Sequence, residues 1–339
     1  MRRSARSLTL AIAVLVLSAG AAQATTHDFY KGKTVRIIVG FAAGGGFDTY
    51  ARAIGRHLGR HLPGNPTIIV ENMTGAGSLI AANHLYKIAK PDGLTMAHPI
   101  GGLFLQQVFG KPGIEFDARK FEYVGVPVKD NLSCAFTRAS GITSMEKWLA
   151  SKTPVKLGGV APGSTTDDAP RILKAAIGVP LQLVSGYKGT AAIRLAAESG
   201  EVAGGCWAWE SLRATWRKGI ETGEVAVVLQ TLKAPDMPDV PLVINFAKTE
   251  EARKLVNVGI QDAGNITRPF ILPPGTPKDR VQLVRKAFLD TLKDPEFRQE
   301  AQKAKLEVDP MTGEELERTV HGLFQLDPTF AAKLKDVLK

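Results

Sequence analysis

The chain has 339 residues, 44% of them hydrophobic and 22% charged, and its formal net charge is +10. This length is sufficient for two α/β domains, each with its own hydrophobic core. The lysines and arginines are scattered and no basic cluster alternates with aromatic residues, which argues against a nucleic-acid-binding protein.

The N-terminus has the three parts of a secretory signal peptide. Three arginines within the first six residues form a basic region, residues 8–17 are apolar, and Ala22-Gln23-Ala24 is a small-residue cleavage site. The apolar run is too short to span a bilayer, which takes about 20 residues. We therefore predict a signal peptide over residues 1–24, cleavage after Ala24 and export of the mature chain to the periplasm.

The first predicted structural unit is a strand, a glycine loop and a helix. Residues 35–39 form an apolar, β-branched run typical of a buried parallel strand. Gly44, Gly45 and Gly46 follow, and Asp48 is the predicted N-cap of the helix. In such a loop, backbone N–H groups and the positive end of a helix dipole can bind an anionic group. The spacing matches neither a Walker loop nor a dinucleotide fingerprint, and a plain turn without a ligand is the alternative.

Two further units repeat this order of elements. Residues 67–71 form a short strand, residues 72–78 form a small-residue loop, and a helix follows. Because loops at the carboxyl ends of neighbouring parallel strands meet at one crevice, the first two loops are expected to converge. The third unit has a strand at 155–160 and a loop at 161–167, whose hydroxyl groups either bind an anion or cap the next helix.

The two cysteines are candidates for a disulfide bond, and two of the histidines are candidates for a metal site. Cys134 and Cys206 are the only cysteines in the sequence, which is too few for a disulfide-rich scaffold. The sequence leaves open whether they form a bond with each other. His57 and His61 lie one helical turn apart, and the arginines around them favour a solvated helix face over a metal site. We therefore expect neither a metal nor a cofactor.

Motifs for catalysis are missing from the sequence. It contains no H-E-x-x-H and no G-x-S-x-G. Ser78 and Ser164 have no partner base that the sequence supplies, and each is explained as a hydroxyl at a helix start. Asp167 and Asp168 are adjacent, so they do not face each other on a helix, and they are explained as helix-start charge. The chain is therefore expected not to be an enzyme.

Several short motifs occur in the order typical of one receptor family. They are Phe41-Ala42-Ala43-Gly44-Gly45 with Asp48, Glu71-Asn72 with Gly75-Ala76-Gly77, Pro91-Asp92-Gly93-Leu94-Thr95, Tyr187-Lys188-Gly189, Asp239-Val240-Pro241 and Pro274-Gly275-Thr276-Pro277. Through the order and spacing of these motifs along nearly the whole mature chain, the sequence resembles the solute-binding proteins of tripartite tricarboxylate transporters, the Bug-type periplasmic receptors.

This resemblance implies an α/β fold with two lobes, a type II-like periplasmic binding protein in which each lobe is a sheet flanked by helices. Lobe 1 would comprise residues 25–124 and 264–339, and lobe 2 would comprise residues 125–263. The resemblance also implies a monomer without a cofactor. It would hold a small carboxylate between its lobes and deliver it to the integral membrane subunits of a tripartite transporter.

The resemblance further implies a set of ligand-binding residues. In lobe 1 these are Gly44, Gly45, Gly46, Asp48, Gly75, Ala76, Gly77 and Ser78. In lobe 2 they are Ser164, Thr165, Thr166, Tyr187, Lys188 and Cys206 with its neighbour Trp207. The two loops of lobe 1 would hold the carboxylate largely through backbone N–H groups and ordered water.

Phe47 and Trp207 depart from the pattern of this family, in which smaller residues are usual at the first position and smaller or acidic residues at the second. We hypothesise that both side chains line the cleft and favour a ligand with an apolar or aromatic body. The alternative is that they are core residues, as buried aromatic side chains usually are. Two other functions stay open: an exported hydrolase or transferase that uses the glycine loops as an anion cradle, and a sensory ligand-binding receptor.

Overall fold

Two β-sheets organise the part of the chain that the structure describes, residues 29–339 of a computed structural model. The predicted signal peptide, residues 1–24, lies outside the described residues. The strands are β1 (Thr34–Val39), β2 (Thr67–Asn72), β3 (Thr95–His98), β4 (Glu122–Val126), β5 (Leu132–Thr137), β6 (Val155–Gly158), β7 (Leu181–Val184), β8 (Gly204–Ala208), β9 (Val225–Gln230), β10 (Phe270–Leu272) and β11 (Met311–Thr312).

Helices connect most of the strands. They are α1 (Gly46–Leu58), α2 (Leu79–Lys87), α3 (Gly102–Val108), α4 (Met145–Leu149), α5 (Thr165–Ile177), α6 (Thr190–Glu198), α7 (Trp209–Thr215), α8 (Arg217–Glu221), α9 (Glu250–Val256), α10 (Ala263–Asn265), α11 (Lys278–Lys293), α12 (Pro295–Lys303), α13 (Gly313–Leu323) and α14 (Pro328–Val337). A π-helical segment, Asn257–Asp262, joins α9 to α10. Within residues 29–339, no helix is both long enough and apolar enough to cross a membrane.

The first sheet has the strand order β11-β4-β10-β3-β1-β2. Strand β1 pairs in parallel with β2 and β3, whereas β10 runs antiparallel to β3 and β4. Four of the six residues of β1 are buried, which agrees with the apolar run that predicts this strand. Because β1 and β2 are parallel neighbours, the loops that follow Val39 and Asn72 leave the same edge of the sheet.

The second sheet has the strand order β7-β6-β8-β5-β9. Strand β6 is parallel to β7 and β8, and β5 is antiparallel to β8 and β9. Cys134 on β5 lies directly opposite Cys206 on β8, with Cα atoms 4.1 Å apart, and the two form a disulfide bond. Opposed residues of an antiparallel pair come this close where they do not exchange hydrogen bonds. The pairing of the strands thus decides the question that the sequence leaves open.

The chain passes between the sheets at two places, residues 127–131 and residues 266–269. The boundary expected after residue 124 falls inside β4, which belongs to the first sheet. Several helices contribute to the core of the other sheet. Among them, Leu212 of α7 lies in the first core and Leu334 of α14 lies in the second. We therefore propose lobes that follow the sheets, with α14 assigned to the second lobe. The chain then passes between the lobes a third time, between α13 and α14.

Candidate functional site

The carboxylate of Asp48 holds the loop between β1 and α1. The sequence predicts Asp48 as the N-cap, but α1 begins at Gly46 with Gly45 as its N-cap, so Asp48 lies in the first helical turn. Its Oδ2 accepts a hydrogen bond from the Gly44 N–H at 2.9 Å, and Arg52 pairs with its Oδ1 at 2.9 Å. Through these contacts the carboxylate holds the conformation of the loop. The N–H groups at the start of α1 have no intrahelical acceptor and can bind an anion.

Asp48 is ionised and joins the bases of the first two loops. Burial opposes its ionisation, but the hydrogen bonds from Arg52, the Gly44 N–H and Asn72 outweigh it, and the pKa of this carboxyl lies below its usual value. Asn72, at the end of β2, donates from Nδ2 to Asp48 at 2.8 Å and to the Phe41 carbonyl at 2.9 Å. The two loops therefore converge at their bases.

The second loop, residues 75–78, packs against the other lobe. All four of its residues have positive φ. Ser78 is buried, and its Oγ accepts a hydrogen bond from the Ile100 N–H at 2.9 Å. A Cβ at Gly77 would lie 2.8 Å from the Cβ of Ala161, which is on the loop after β6. Glycine at position 77 therefore allows this loop to lie close to Ala161 of the other lobe.

A cavity of about 30 Å³ lies between the two sheets, beside the start of α1. Seven of the predicted site residues line it: Gly45, Gly46, Phe47, Ser164, Thr165, Thr166 and Trp207. Nine do not: Gly44, Asp48, Gly75, Ala76, Gly77, Ser78, Tyr187, Lys188 and Cys206. The structure thus brings together the first glycine loop, the loop after β6 and the end of β8.

The lobe 2 residues outside the cavity make other contacts. Tyr187 donates from its hydroxyl to Glu201 at 2.6 Å. The carbonyl of Lys188 accepts a hydrogen bond from the Ala42 N–H at 3.2 Å, while its side chain is exposed. Cys206 is buried within the disulfide. For these residues a role in ligand binding stays a prediction.

Aromatic side chains form an apolar wall of the cavity. Phe47 packs on Phe41 and His98, with ring centroids 4.6 and 4.7 Å apart. Trp207 is 2% exposed and stacks on Trp216, with ring centroids 5.8 Å apart. Both side chains line the cavity and also pack in the hydrophobic core. Lining the cleft and belonging to the core are therefore compatible for these two residues.

Arg268 and Asp130 form a buried ion pair at the cavity, and both were missed by the sequence-based prediction. Asp130 lies on the first passage between the lobes and Arg268 on the second. The Nε of Arg268 donates to Oδ1 of Asp130 at 2.5 Å, and the guanidinium lies 4.9 Å from the centroid of the Phe47 ring. The one feature of the sequence that could have indicated this pair is the charge of Arg268 near the start of the apolar run 267–272, and it matches no known motif.

Four residues that line the cavity each have a buried polar atom without a hydrogen-bond partner within residues 29–339. These atoms are Oγ1 of Thr190, Nε1 of Trp207, Oγ of Ser211 and Nη1 of Arg268. Buried polar groups are nearly always paired, and each of these four can donate a hydrogen bond. A group with several acceptor oxygens, such as a carboxylate, would satisfy them.

Glu210, on α7 beside Ser211, is a buried acid behind the cavity. Neither of its carboxylate oxygens has a hydrogen-bond partner among the described residues. Burial first, and then the nearby charge of Asp130, raise the pKa of this carboxyl well above its usual value. A protonated Glu210 adds no negative charge next to the pair of Arg268 and Asp130.

Replacing Glu210 with glutamine is expected to stabilise the protein increasingly as the pH rises. The pKa of Glu210 is higher in the folded than in the unfolded protein. As the pH rises from the unfolded-state pKa to the folded-state pKa, the unfolded chain releases this proton while the folded one keeps it, so the wild-type protein becomes less stable. Within that window the variant should gain about 1.4 kcal/mol per pH unit relative to wild type, since glutamine does not titrate. Urea denaturation between pH 5 and 8 measures this difference, with Glu224→Gln as the exposed control. A difference that stays constant with pH would contradict the expectation.

A methyl group at Gly46 is expected to disturb the contact between α1 and α7. A Cβ there would lie 2.1 Å from Oγ of Ser211 and 2.6 Å from its Cβ. Gly46→Ala should therefore cost about 1–3 kcal/mol of stability, and Ser211→Gly in the same chain should recover part of it. Thermal denaturation tests this against Gly322→Ala, where a Cβ would meet no atom within 4 Å. Equal melting temperatures for the two alanine variants would show that this contact does not form in solution.

His57 of α1 and His61 of the 3-10 turn after it, Gly59–His61, meet acids of α12 and its N-cap. Nε2 of His57 lies 2.7 Å from Glu300, and Nε2 of His61 lies 2.8 Å from Asp294. The prediction of a solvated helix face is wrong for His57, which is buried. Arg60 pairs with Asp294 at 3.2 Å, so this group is an ion-pair network that joins α1 to α12.

Comparison with known sequences gives one family. A family model described as the tripartite tricarboxylate transporter family receptor matches residues 51–322. A UPF0065 protein of Bordetella bronchiseptica is 29% identical over 163 residues, which are 48% of this chain and 47% of that protein. The UPF0065 protein in the gbd 5′ region of Cupriavidus necator is 27% identical over 314 residues, 89% of this chain and 87% of that protein. The chain thus matches about half of the first relative and most of the second.

Solved structures share the fold. The periplasmic binding protein BugD has a TM-score of 0.75 and 23% identity, over 91% of this chain and 98% of that one. MatC from Rhodopseudomonas palustris with bound malate has a TM-score of 0.67 and 21% identity, over 91% and 99%. Another R. palustris protein, with adipate, has a TM-score of 0.72 and 20% identity, over 90% and 97%. These similarities confirm the predicted α/β fold of a two-lobed periplasmic binding protein.

Proposed function

Because this chain belongs to the tripartite tricarboxylate transporter receptor family, we propose that it binds a small carboxylate between its lobes and delivers it to the integral membrane subunits of such a transporter. The observation that carries the proposal is the set of four unpartnered donors around one cavity. Arg268, whose Nε is paired with Asp130, contributes a charged donor through its unpartnered Nη1, and the start of α1 adds the positive end of a helix dipole. A carboxylate would give these donors their partners.

The ligands of two proteins with the same fold support this ligand class. MatC holds malate, and another R. palustris protein holds adipate. Both are carboxylates, and both belong to proteins that share the two-lobed architecture with this chain. For this chain the class of ligand is a proposal that rests on its own donors.

Binding would require the lobes to move apart and close again. A cavity of about 30 Å³ holds roughly one water molecule, whereas sites for organic ligands usually measure about 300–1,000 Å³. We place the hinge at residues 127–131 and 266–269, because the chain crosses between the sheets there. Closure would remove water from the donors and so strengthen their interaction with a bound anion.

We propose that capture is stoichiometric and that no bond of the ligand is made or broken. The two serines considered as nucleophiles support this through their contacts. Oγ of Ser78 accepts from the Ile100 N–H, and Oγ of Ser164 donates to the Ala161 carbonyl at 2.6 Å. Neither hydroxyl is hydrogen-bonded to a histidine in the described part of the chain, so neither has the base that activates a nucleophile.

Members of this family are periplasmic binding proteins. We propose that this chain reaches the periplasm through a signal peptide cleaved after Ala24, and that it acts as a monomer. N-terminal sequencing of the exported protein and light scattering of the purified protein test these two points.

Native mass spectrometry of the exported protein, purified without refolding, tests the proposed function. We expect a bound small acid, or a rise in melting temperature with at least one member of a panel of mono-, di- and aromatic carboxylates. Crosslinking in membranes should then capture the integral subunits of the transporter. An apo mass together with an unchanged melting temperature across the whole panel would contradict carboxylate binding, and release of a chemically altered ligand would contradict capture without catalysis.

A further inference from the structure

We propose that a carboxylate of the ligand binds between the first turns of α1 and α6, one helix from each lobe, and that Thr190 thereby links ligand capture to closure of the lobes. This inference rests on the proposed function and adds a residue of the second lobe to the carboxylate site. Three observations carry it: how α6 meets the first glycine loop, how the two helices begin, and which hydroxyl groups beside this loop have no partner.

The first observation is the contact between the start of α6 and the loop before α1. Helix α6 belongs to the second lobe, where its Ile193 packs against Gly158 of β6. A Cβ built on Gly45 would lie 3.3 Å from Oγ1 of Thr190 and 3.9 Å from the backbone nitrogen of the same residue. Since Gly45 is the N-cap of α1 and Thr190 is the first residue of α6, the two helices begin next to each other across the cleft. Opening of the lobes would separate them.

The second observation is that both helices begin after a glycine. Gly45 is the N-cap of α1 and Gly189 is the N-cap of α6, and a glycine has no side chain that could accept from the first turn. The N–H groups of a first turn lack intrahelical acceptors, and the helix dipole adds partial positive charge there. The acid in the first turn of α1, Asp48, bonds to the Gly44 N–H and to Arg52, and the first turn of α6 contains no acid. An anion between the two starts would therefore accept hydrogen bonds from both helices.

The third observation is that hydroxyl groups beside this loop make no hydrogen bond within residues 29–339. They are Oγ1 of Thr190 and Oγ of Ser211, and both atoms are buried. A Cβ built on Gly46 would lie 2.1 Å from Oγ of Ser211 and 3.3 Å from the unpartnered Nη1 of Arg268. Buried hydroxyl groups are nearly always paired, so these two indicate an acceptor at this place. A carboxylate suits it, because its two oxygens accept about four hydrogen bonds.

The donors come from both lobes and can reach one carboxylate together only when the lobes are closed. In the open state the carboxylate would keep the N–H groups of α1 and lose those of α6 together with the Thr190 hydroxyl. The contacts with α6 thus stabilise the closed complex, while the first encounter depends on α1. Contacts that form only in the bound state change the dissociation rate more than the association rate.

Replacing Thr190 with valine tests this role, because valine removes the hydroxyl and keeps the volume of the side chain. The hydroxyl bonds to no other group in the described part of the chain, so the variant should melt at the wild-type temperature. Its affinity for those of hexanoate, adipate and benzoate that the wild type binds should fall by about tenfold, the effect of one hydrogen bond to a charged group. Stopped-flow measurements should find this loss in the dissociation rate. Thr329→Val, at an exposed position in the first turn of α14, is the control and should change neither quantity.

Spin labels on cysteines at two exposed lysines, Lys174 of α5 and Lys286 of α11, measure the distance between the lobes. A saturating acid should shorten this distance in the wild-type background, and Thr190→Val should leave a larger fraction of the complex open. Unchanged affinity in Thr190→Val, a loss confined to the association rate, or a lowered melting temperature would each overturn this inference and leave the proposed function standing. Failure of the wild type to bind any acid, including those of the wider panel, would overturn the proposed function itself.

Discussion

Replacing Arg268 with glutamine is expected to lower the free energy of unfolding by about 3–5 kcal/mol, the usual cost of breaking a buried ion pair from one side. The guanidinium is 2% exposed and pairs with Asp130 at 2.5 Å. It also lies about 5 Å from the ring centroids of Phe47 and Tyr50, at 4.9 and 5.0 Å. The variant leaves the Asp130 carboxylate in a buried position without its cation and removes both aromatic contacts.

The double variant Arg268→Gln with Asp130→Asn identifies the source of this loss. Removing both charges leaves no uncompensated carboxylate, so the double variant should be more stable than Arg268→Gln alone. Urea denaturation of the four members of the cycle gives the coupling energy between the two residues. If the double variant is the less stable of the two, the pair does not contribute through its charges, and the passages between the lobes are held in another way. Both variants are expected to lose carboxylate binding, because both lack Nη1.

Removing the disulfide, by changing Cys134 and Cys206 to alanine, is expected to lower the free energy of unfolding by up to about 4 kcal/mol. The bond closes a loop across a sequence separation of 72 residues, and the chain-entropy model gives about this value for such a loop. The cysteines are fully buried between β5 and β8, so a reductant cannot reach the bond in the folded state and the alanine variant is the appropriate comparison.

The denaturant dependence gives this prediction a second readout. An unfolded chain without the crosslink exposes more surface, so the slope of the unfolding free energy against urea should be larger for the variant than for wild type. Wild-type protein unfolded in urea with a thiol reductant serves as the control, because it reaches the same open unfolded state. Equal stability of the two proteins, with equal slopes, would show that the bond does not constrain the unfolded chain.

The carboxyl ends of β1 and β2 illustrate what could be predicted from the sequence. The apolar run 35–39 and the glycines after it predict a buried strand and a loop at a helix start, and the structure has both. The loop after β2 was predicted by the same pattern, and its base joins the first loop through Asn72. These predictions succeed because strand burial and turn chemistry depend on neighbours in the sequence.

Predicted roles within these loops were less accurate. Asp48 was expected at the N-cap and lies in the first turn, because its carboxylate reaches back to the Gly44 N–H and Gly45 supplies the extended N-cap backbone. Ser78 is expected from the family resemblance to bind the ligand; its Oγ accepts a hydrogen bond from the Ile100 N–H, and its role in ligand binding stays a prediction. A side chain next to a loop can point to either side, and which side it takes depends on the elements that pack there.

The sequence by itself determined the family, the order of the α/β units and the position of the glycine loop at the start of α1, since all of these follow from local patterns and their spacing. The tertiary structure alone decided that Asp130 and Arg268, 138 residues apart, meet at two of the passages between the lobes. It also decided that Cys134 faces Cys206 across β5 and β8. Charges and sulfurs carry no periodic pattern that marks their partners, so such pairs exist only once the sheets and the crossings between them are formed.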